Sequence, residues 1–197
     1  MHAVGTLREC PERYEKPNLS GYNKEVEKMV SQKSGPVLVD KEPQLMAVIT
    51  TKGDPNVVME KAMAALYGAV YGLKFQLKKQ GVDFTVGKLI CRWPDAHLVP
   101  KDQWTGNWGL PVPPGTSELP QKISEFPVRL ELWEYGTVAE ILHIGPYTEE
   151  EPTVQQLHSF ISDSGFEISG IHEEEYLTKP TSKVIKTVIR YPVKPRS

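Results

Sequence analysis

Apolar positions recur along the chain in two rhythms, and the change from one to the other marks its elements. From Pro36 the segment PVLVDKEPQLMAVITTKGDPNVVMEKAMAALYGAVYGLKF begins with a short strand, turns, and gives a second strand over Leu45 to Thr50. Gly53-Asp54-Pro55-Asn56 then breaks the alternation. Beyond it Met59, Ala62, Met63, Leu66, Val70 and Leu73 follow helical spacing, which predicts an amphipathic helix with one buried stripe. From Pro127 the same order returns in PVRLELWEYGTVAEILHIGPYTEEEPTVQQLHSFISDSGF: strand, turn at Tyr135-Gly136, strand from Val138 to Ile144, break at Gly145-Pro146, helix. The offset is about ninety residues.

A glycine closes each helix, Gly81 and Gly165, as a left-handed C-cap requires. Two strand-like runs follow in each half, Asp83 to Trp93 and Gln103 to Val112 in the first, Glu167 to Leu177 and Lys183 to Val193 in the second. The expectation is an α+β fold of two pseudo-symmetric strand-helix-strand-strand modules, residues 36–113 and 127–193, with antiparallel sheet and a cleft between them. Residues 1–35 are read as an N-terminal arm with one short amphipathic element (Tyr22, Val26, Met29, Val30), and 36–197 as the domain.

Several local features carry specific expectations. Glu149, Glu150 and Glu151 open the second helix, where carboxylates complement the helix dipole, so their reading is structural. Gly68 and Gly72 inside the first helix each cost about 1 kcal/mol relative to alanine, which predicts close approach of another backbone. Tyr67 and Tyr71, four apart, are either ring bodies at the core edge or a tyrosine wall on the cleft. In the proline-dense segment 94–127, Trp104 and Trp108 are either the anchors of an edge strand or part of a lid, and Pro111, Pro113 and Pro114 exclude a central strand after Leu110. Trp133 reads as core.

Composition narrows the function classes. The chain of 197 residues carries Lys+Arg 23 against Asp+Glu 25, so it has no electrostatic footprint for direct nucleic-acid binding. It has no apolar run of membrane-spanning length and no signal-peptide pattern, and the expected location is the cytoplasm. Cys10 and Cys91 form no CxxC and read as reduced thiols, Cys91 as packing. The histidines make no metal-ligand spacing, and His172 beside Glu173 to Glu175 reads as a strand histidine. Neither a metal nor a cofactor is expected.

The motifs LHIGPY before a helix, IHEEEYLTKP and KVIKTVIRYPV resemble the GyrI-like small-molecule-binding domain, also found as the effector-binding half of multidrug-responsive regulators. GDPN followed by ALYGAVYGLKF is similar to the stand-alone branch, which lacks a DNA-binding domain. The resemblance runs from about Pro36 to Val193 and is poor over 94–126. It implies planar, hydrophobic, cationic ligands held between aromatic rings over a buried glutamate, and sequestration of drug-like compounds. It also implies an alternative, a cofactor-independent hydrolase that opens the cyclopropane of DNA-alkylating natural products. The family's glutamate falls on Glu174, in Glu-x-Tyr completed by Tyr176, although Glu175 stands where the family usually has an apolar residue.

Period-two geometry puts His172, Glu174 and Tyr176 on one strand face and Glu173 and Glu175 on the other. The expected ligand-binding set is Glu174, Tyr176, Tyr67, Tyr71, Tyr147, Trp104, Trp108 and His172. For turnover, Glu174 is the base and Tyr147 the hydroxyl donor, with Tyr67 and Tyr176 as other candidates for that hydroxyl. The expected partners are small aromatic ligands, and the expected state is a monomer or weak dimer.

Overall fold

The computed structural model describes residues 35–53, 55–95 and 98–196. The amphipathic element expected in the arm and Cys10 lie outside them. The elements are β1 (Val37–Lys41), β2 (Gln44–Lys52), α1 (Pro55–Lys79), β3 (Leu89–Trp93), β4 (Thr105–Pro111), β5 (Arg129–Trp133), β6 (Gly136–Ile144), α2 (Glu151–Asp163), β7 (Phe166–Ile168), β8 (His172–Tyr176) and β9 (Lys186–Pro195). All strand pairs are antiparallel, in the order β1-β6-β9-β8-β3-β4-β2-β5, with β7 also on β9. Exchanging β1 with β5, β2 with β6, β3 with β8 and β4 with β9 reverses this order and leaves it unchanged. The repeat in the sequence is therefore a pseudo-twofold in the sheet, centred on the β3–β8 pair, where Cys91 faces Glu174.

The symmetry is interlocked in a way the local pattern does not predict. Neither β1–β2 nor β5–β6 is a hairpin: β1 pairs with β6, and β5 with β2. Each half thus lends its first strand to the other half's edge. Three further departures concern strand extents and place. The run from Glu167 is two strands, broken at Gly170, where a Cβ would stand 2.7 Å from Pro192 Cγ. The break shifts the register on β9 by two residues, so alternation resumes in phase and His172, Glu174 and Tyr176 keep their expected face. The run from Asp83 is strand only over β3, and β4 is a central strand, between β3 and β2, rather than an edge or a lid.

α1 buries Ala62, Leu66, Val70 and Leu73 against Ala47, Ile49, Trp108 and Leu110. It ends in a Schellman motif: Val82 N–H donates to Leu77 O and Gly81 N–H to Lys78 O, with Gly81 at φ +81. What approaches Gly68 and Gly72 is side chain rather than backbone. A Cβ on Gly72 would meet Pro120 Cγ at 3.2 Å, and one on Gly68 would meet Lys122 Cγ at 3.2 Å. The segment after β4 therefore straps α1, with Leu119, Ile123 and Phe126 in the same core. α2 buries Leu157 and Ile161 against Ala139, Ile141, Ile189 and Tyr191.

On the opposite side of the sheet Trp133 is fully buried with Met46, Val48, Ile90 and Val138, as the core reading expects. A Cβ on Gly109 would lie 2.8 Å from Trp133 Cη2 and 2.9 Å from Met46 Cε. The indole cannot yield as a methionine tip can, so Gly109→Ala should destabilise the domain by about 1–3 kcal/mol. Urea denaturation would check this; a cost under about 0.5 kcal/mol would mean that the core gives way at no penalty.

Candidate functional site

In an antiparallel sheet, directly paired residues share a face. Following the pairs across six strands gives one row: Ile141, Ile189, Glu174, Cys91, Trp108, Ile49. Ile141 and Ile189 lie in the core under α2, and Trp108 and Ile49 in the core under α1. α1 packs on β2 and β4 and α2 on β6 and β7, which leaves β8 and β3 as the floor between the helices. Glu174 stands in the middle of that floor, 7% exposed.

Its hydrogen-bond partner comes from the same face. His172 Nε2 is 3.2 Å from Glu174 Oε1, and His172 Nδ1 is 2.6 Å from the Tyr191 hydroxyl. The two contacts link Tyr191, His172 and Glu174 in one chain, and the proton positions on the imidazole set the direction of the Tyr191 bond. Tyr176, two residues further along the same face, has its hydroxyl close enough to feel the Glu174 charge. Aromatic rings continue outward, Trp108 stacked on Tyr176 at 5.9 Å and Tyr147 edge-on to Tyr176 at 5.7 Å. Burial first, and then the Glu174 charge, push the Tyr176 hydroxyl and the Cys91 thiol well above their ordinary range. Tyr147 is raised by burial and by Glu174 and Glu150. These groups remain protonated beside one carboxylate.

The expected site residues thus separate. Glu174, His172, Tyr176, Tyr147 and Trp108 come together. His172 holds Glu174 in orientation. Trp104 is one ring further out, 5.5 Å from Trp93, with its indole N–H donated to Val99 O. Tyr67 and Tyr71 stack at 6.4 Å on α1; Tyr67 packs in the core with Tyr176 and Trp108, whereas Tyr71 is 44% exposed.

Two residues not selected from the sequence belong here. Tyr191 lies on β9 across from Ala139, and only the register of that pair reveals its face. Glu150 was assigned to the helix dipole together with Glu149 and Glu151. Glu149 instead ends a 3-10 turn over Tyr147–Glu149, and α2 begins at Glu151. Glu150 holds the N-cap position without a side-chain capping bond. Burial and the Glu174 charge push its carboxyl up to about 7, with His172 opposing them.

The other face reads differently. Its parallel row is Glu140, Arg190, Glu173, Arg92, Asn107, Thr50, a line of alternating charge that ends in amide and hydroxyl. Arg190 donates to Glu140 at 3.0 Å, Glu173 at 2.7 Å and Glu175 at 2.8 Å. Arg92 donates to Glu173 at 2.7 Å and lies over the Trp133 ring. Glu173 and Glu175 are thus buried ion-pair partners, which explains why an acid stands at 175.

Two α+β halves related by a pseudo-twofold, with aromatic rings gathered about a buried carboxylate at their junction, are the arrangement of a class of small-molecule-binding domains. The chain belongs to the GyrI-like small-molecule-binding domain family, matching its model over residues 35–194. No curated protein matches the chain by sequence. Among solved structures it is similar to an uncharacterized conserved protein from Listeria innocua, with TM-score 0.75, 24% identity, and coverage of 88% of this chain and 98% of that one. A hydrolase from Listeria innocua aligns with TM-score 0.73, 24% identity and the same coverage. The EcmrR C-terminal domain aligns with TM-score 0.57 at 13% identity, covering 84% of this chain and 100% of that one. At these identities the likeness is one of fold. Among the described residues no helix is long and apolar enough to cross a membrane.

Proposed function

We propose that the groove between α1 and α2 binds flat, apolar, cationic compounds, and that the protein sequesters them. One contrast carries this reading. Three consecutive glutamates are buried, and Glu173 and Glu175 each have an arginine, whereas Glu174 has a histidine but no Lys or Arg among the described residues. A carboxylate so placed favours a cation supplied from outside, and Tyr147 and Tyr176, with Trp108 stacked behind Tyr176, supply the aromatic surroundings to hold it. Titrating a rhodamine-type cation should quench tryptophan emission, since Trp108 stacks on Tyr176 beside the carboxylate. A neutral analogue of the same shape should bind about tenfold more weakly or worse. Equal affinities would remove the charge from recognition.

A second reading uses the same groups. With Glu174 as base and the Tyr147 hydroxyl as donor, water would add across an activated cyclopropane: oxygen bonds the ring carbon, the carbon–carbon bond opens, and the electron pair passes to an oxygen that Tyr147 stabilises. The proximity of Tyr147 to Glu174 favours it, and one relative of like fold is described as a hydrolase. Catalytic gain of one water by a cyclopropane-bearing alkylator, followed by mass spectrometry, distinguishes turnover from retention.

A further inference from the structure

We infer that Glu150 is a second recognition carboxylate of this groove, and that it selects cations carrying an N–H donor, protonated amines, over quaternary or delocalised cations that have none. The inference rests on the binding site proposed above and adds the chemical class of its ligand.

Glu150 Oε2 is buried and has no hydrogen-bond partner among the described residues. A buried acceptor left unpaired is costly, and native structures rarely keep one without a use. The helix does not use it, because Glu150 occupies the N-cap position yet makes no side-chain capping bond. Its electrostatic neighbours are those of the groove: Glu174 and His172 on β8, Tyr147 in the preceding turn, Tyr191 on β9 and Glu151 on α2. The nearby tyrosines do not complete it: none of them hydrogen-bonds Oε2, and the Tyr191 hydroxyl is engaged with His172 Nδ1 at 2.6 Å.

Glu174 already supplies charge for any cation. What Glu150 adds is an acceptor awaiting a donor, and a ligand N–H carrying positive charge forms the strongest such bond while relieving repulsion between the two carboxylates. A carboxyl near pH 7 is poised for this: a bound ammonium favours the ionised form, so amine affinity should rise as pH increases through about 7 and level off above it.

The test is a matched pair of probes, dimethyl(2-naphthylmethyl)ammonium and trimethyl(2-naphthylmethyl)ammonium, alike in ring and charge and differing in one N–H. Calorimetry on the full chain should show the protonated amine binding at least about tenfold tighter. Glu150→Leu should bring the two affinities together by weakening the amine more than the quaternary cation. Glu150→Gln, which keeps an acceptor but not the charge, should leave a smaller preference and abolish the rise with pH. Equal binding of both probes to the native protein, with Glu174→Gln weakening both, would overturn the role of Glu150 and leave the groove intact. Binding of neither probe would overturn the groove reading and this inference with it.

Discussion

Replacing Arg190 with methionine should cost the domain about 3–5 kcal/mol, a large share of the roughly 5–15 kcal/mol that holds a domain of this size together. The side chain is 1% exposed, and its three nitrogens each serve a different carboxylate, on Glu140, Glu173 and Glu175. Methionine matches its length and apolar body but removes the fork that holds all three buried acids, with Arg92 on Glu173 and the Lys41 charge nearby as what remains. Lysine should fare little better, since one ammonium cannot span three partners held in a planar fork. The loss comes from stranded charges rather than from the pairing itself, so exchanging the arginine together with its acids for apolar residues of similar volume should recover much of it. Urea denaturation of Arg190→Met, and of Arg190→Met combined with Glu140→Gln, would show the coupling. A single-variant cost below about 1 kcal/mol would mean that water or rearrangement already satisfies the acids.

That network was only partly legible. The alternation over His172 to Tyr176 assigns Glu173 and Glu175 to one face and Glu174 to the other, and the structure has the same assignment. What the alternation does not contain is the partner, since Arg190 is reached only through the β8–β9 register. An acid on a strand face without its basic neighbour in view looks like a solvated edge. The repeat was legible for a similar reason, because its strands, breaks and capping glycines are local signals. The exchange of β1 and β5 between halves was not, since strand pairing over such separations is decided by the whole sheet. Trp108 could be placed on a strand, but that strand's central position depends on β3 and β2 flanking it. Glu150 was misread because dipole complementarity is the ordinary use of an acid at a helix start, and here the chain turns once more before the helix begins.

Glu174→Gln should weaken binding of a rhodamine-type cation by roughly 1–3 kcal/mol while leaving the fold intact. Glutamine keeps the size of the side chain and can still accept from His172 Nε2–H, so the loss isolates the charge. Removing a buried charge that lacks a Lys or Arg partner should also raise the stability of the empty protein slightly. Glu173→Gln gives the opposite pattern. It strips a carboxylate that both Arg92 and Arg190 hold, so stability should fall, while cation affinity measured on the folded fraction stays close to that of the native protein. The two variants are neighbours in sequence and differ only in which side of the sheet they face. Affinity lost in Glu173→Gln and retained in Glu174→Gln would place the ligand on the charged face beside Arg190. If the groove also turns over an activated cyclopropane, Glu174→Gln should abolish that reaction, because an amide can orient a water molecule but cannot take its proton. Unchanged turnover in that variant would exclude Glu174 as the base and leave it as an electrostatic anchor alone.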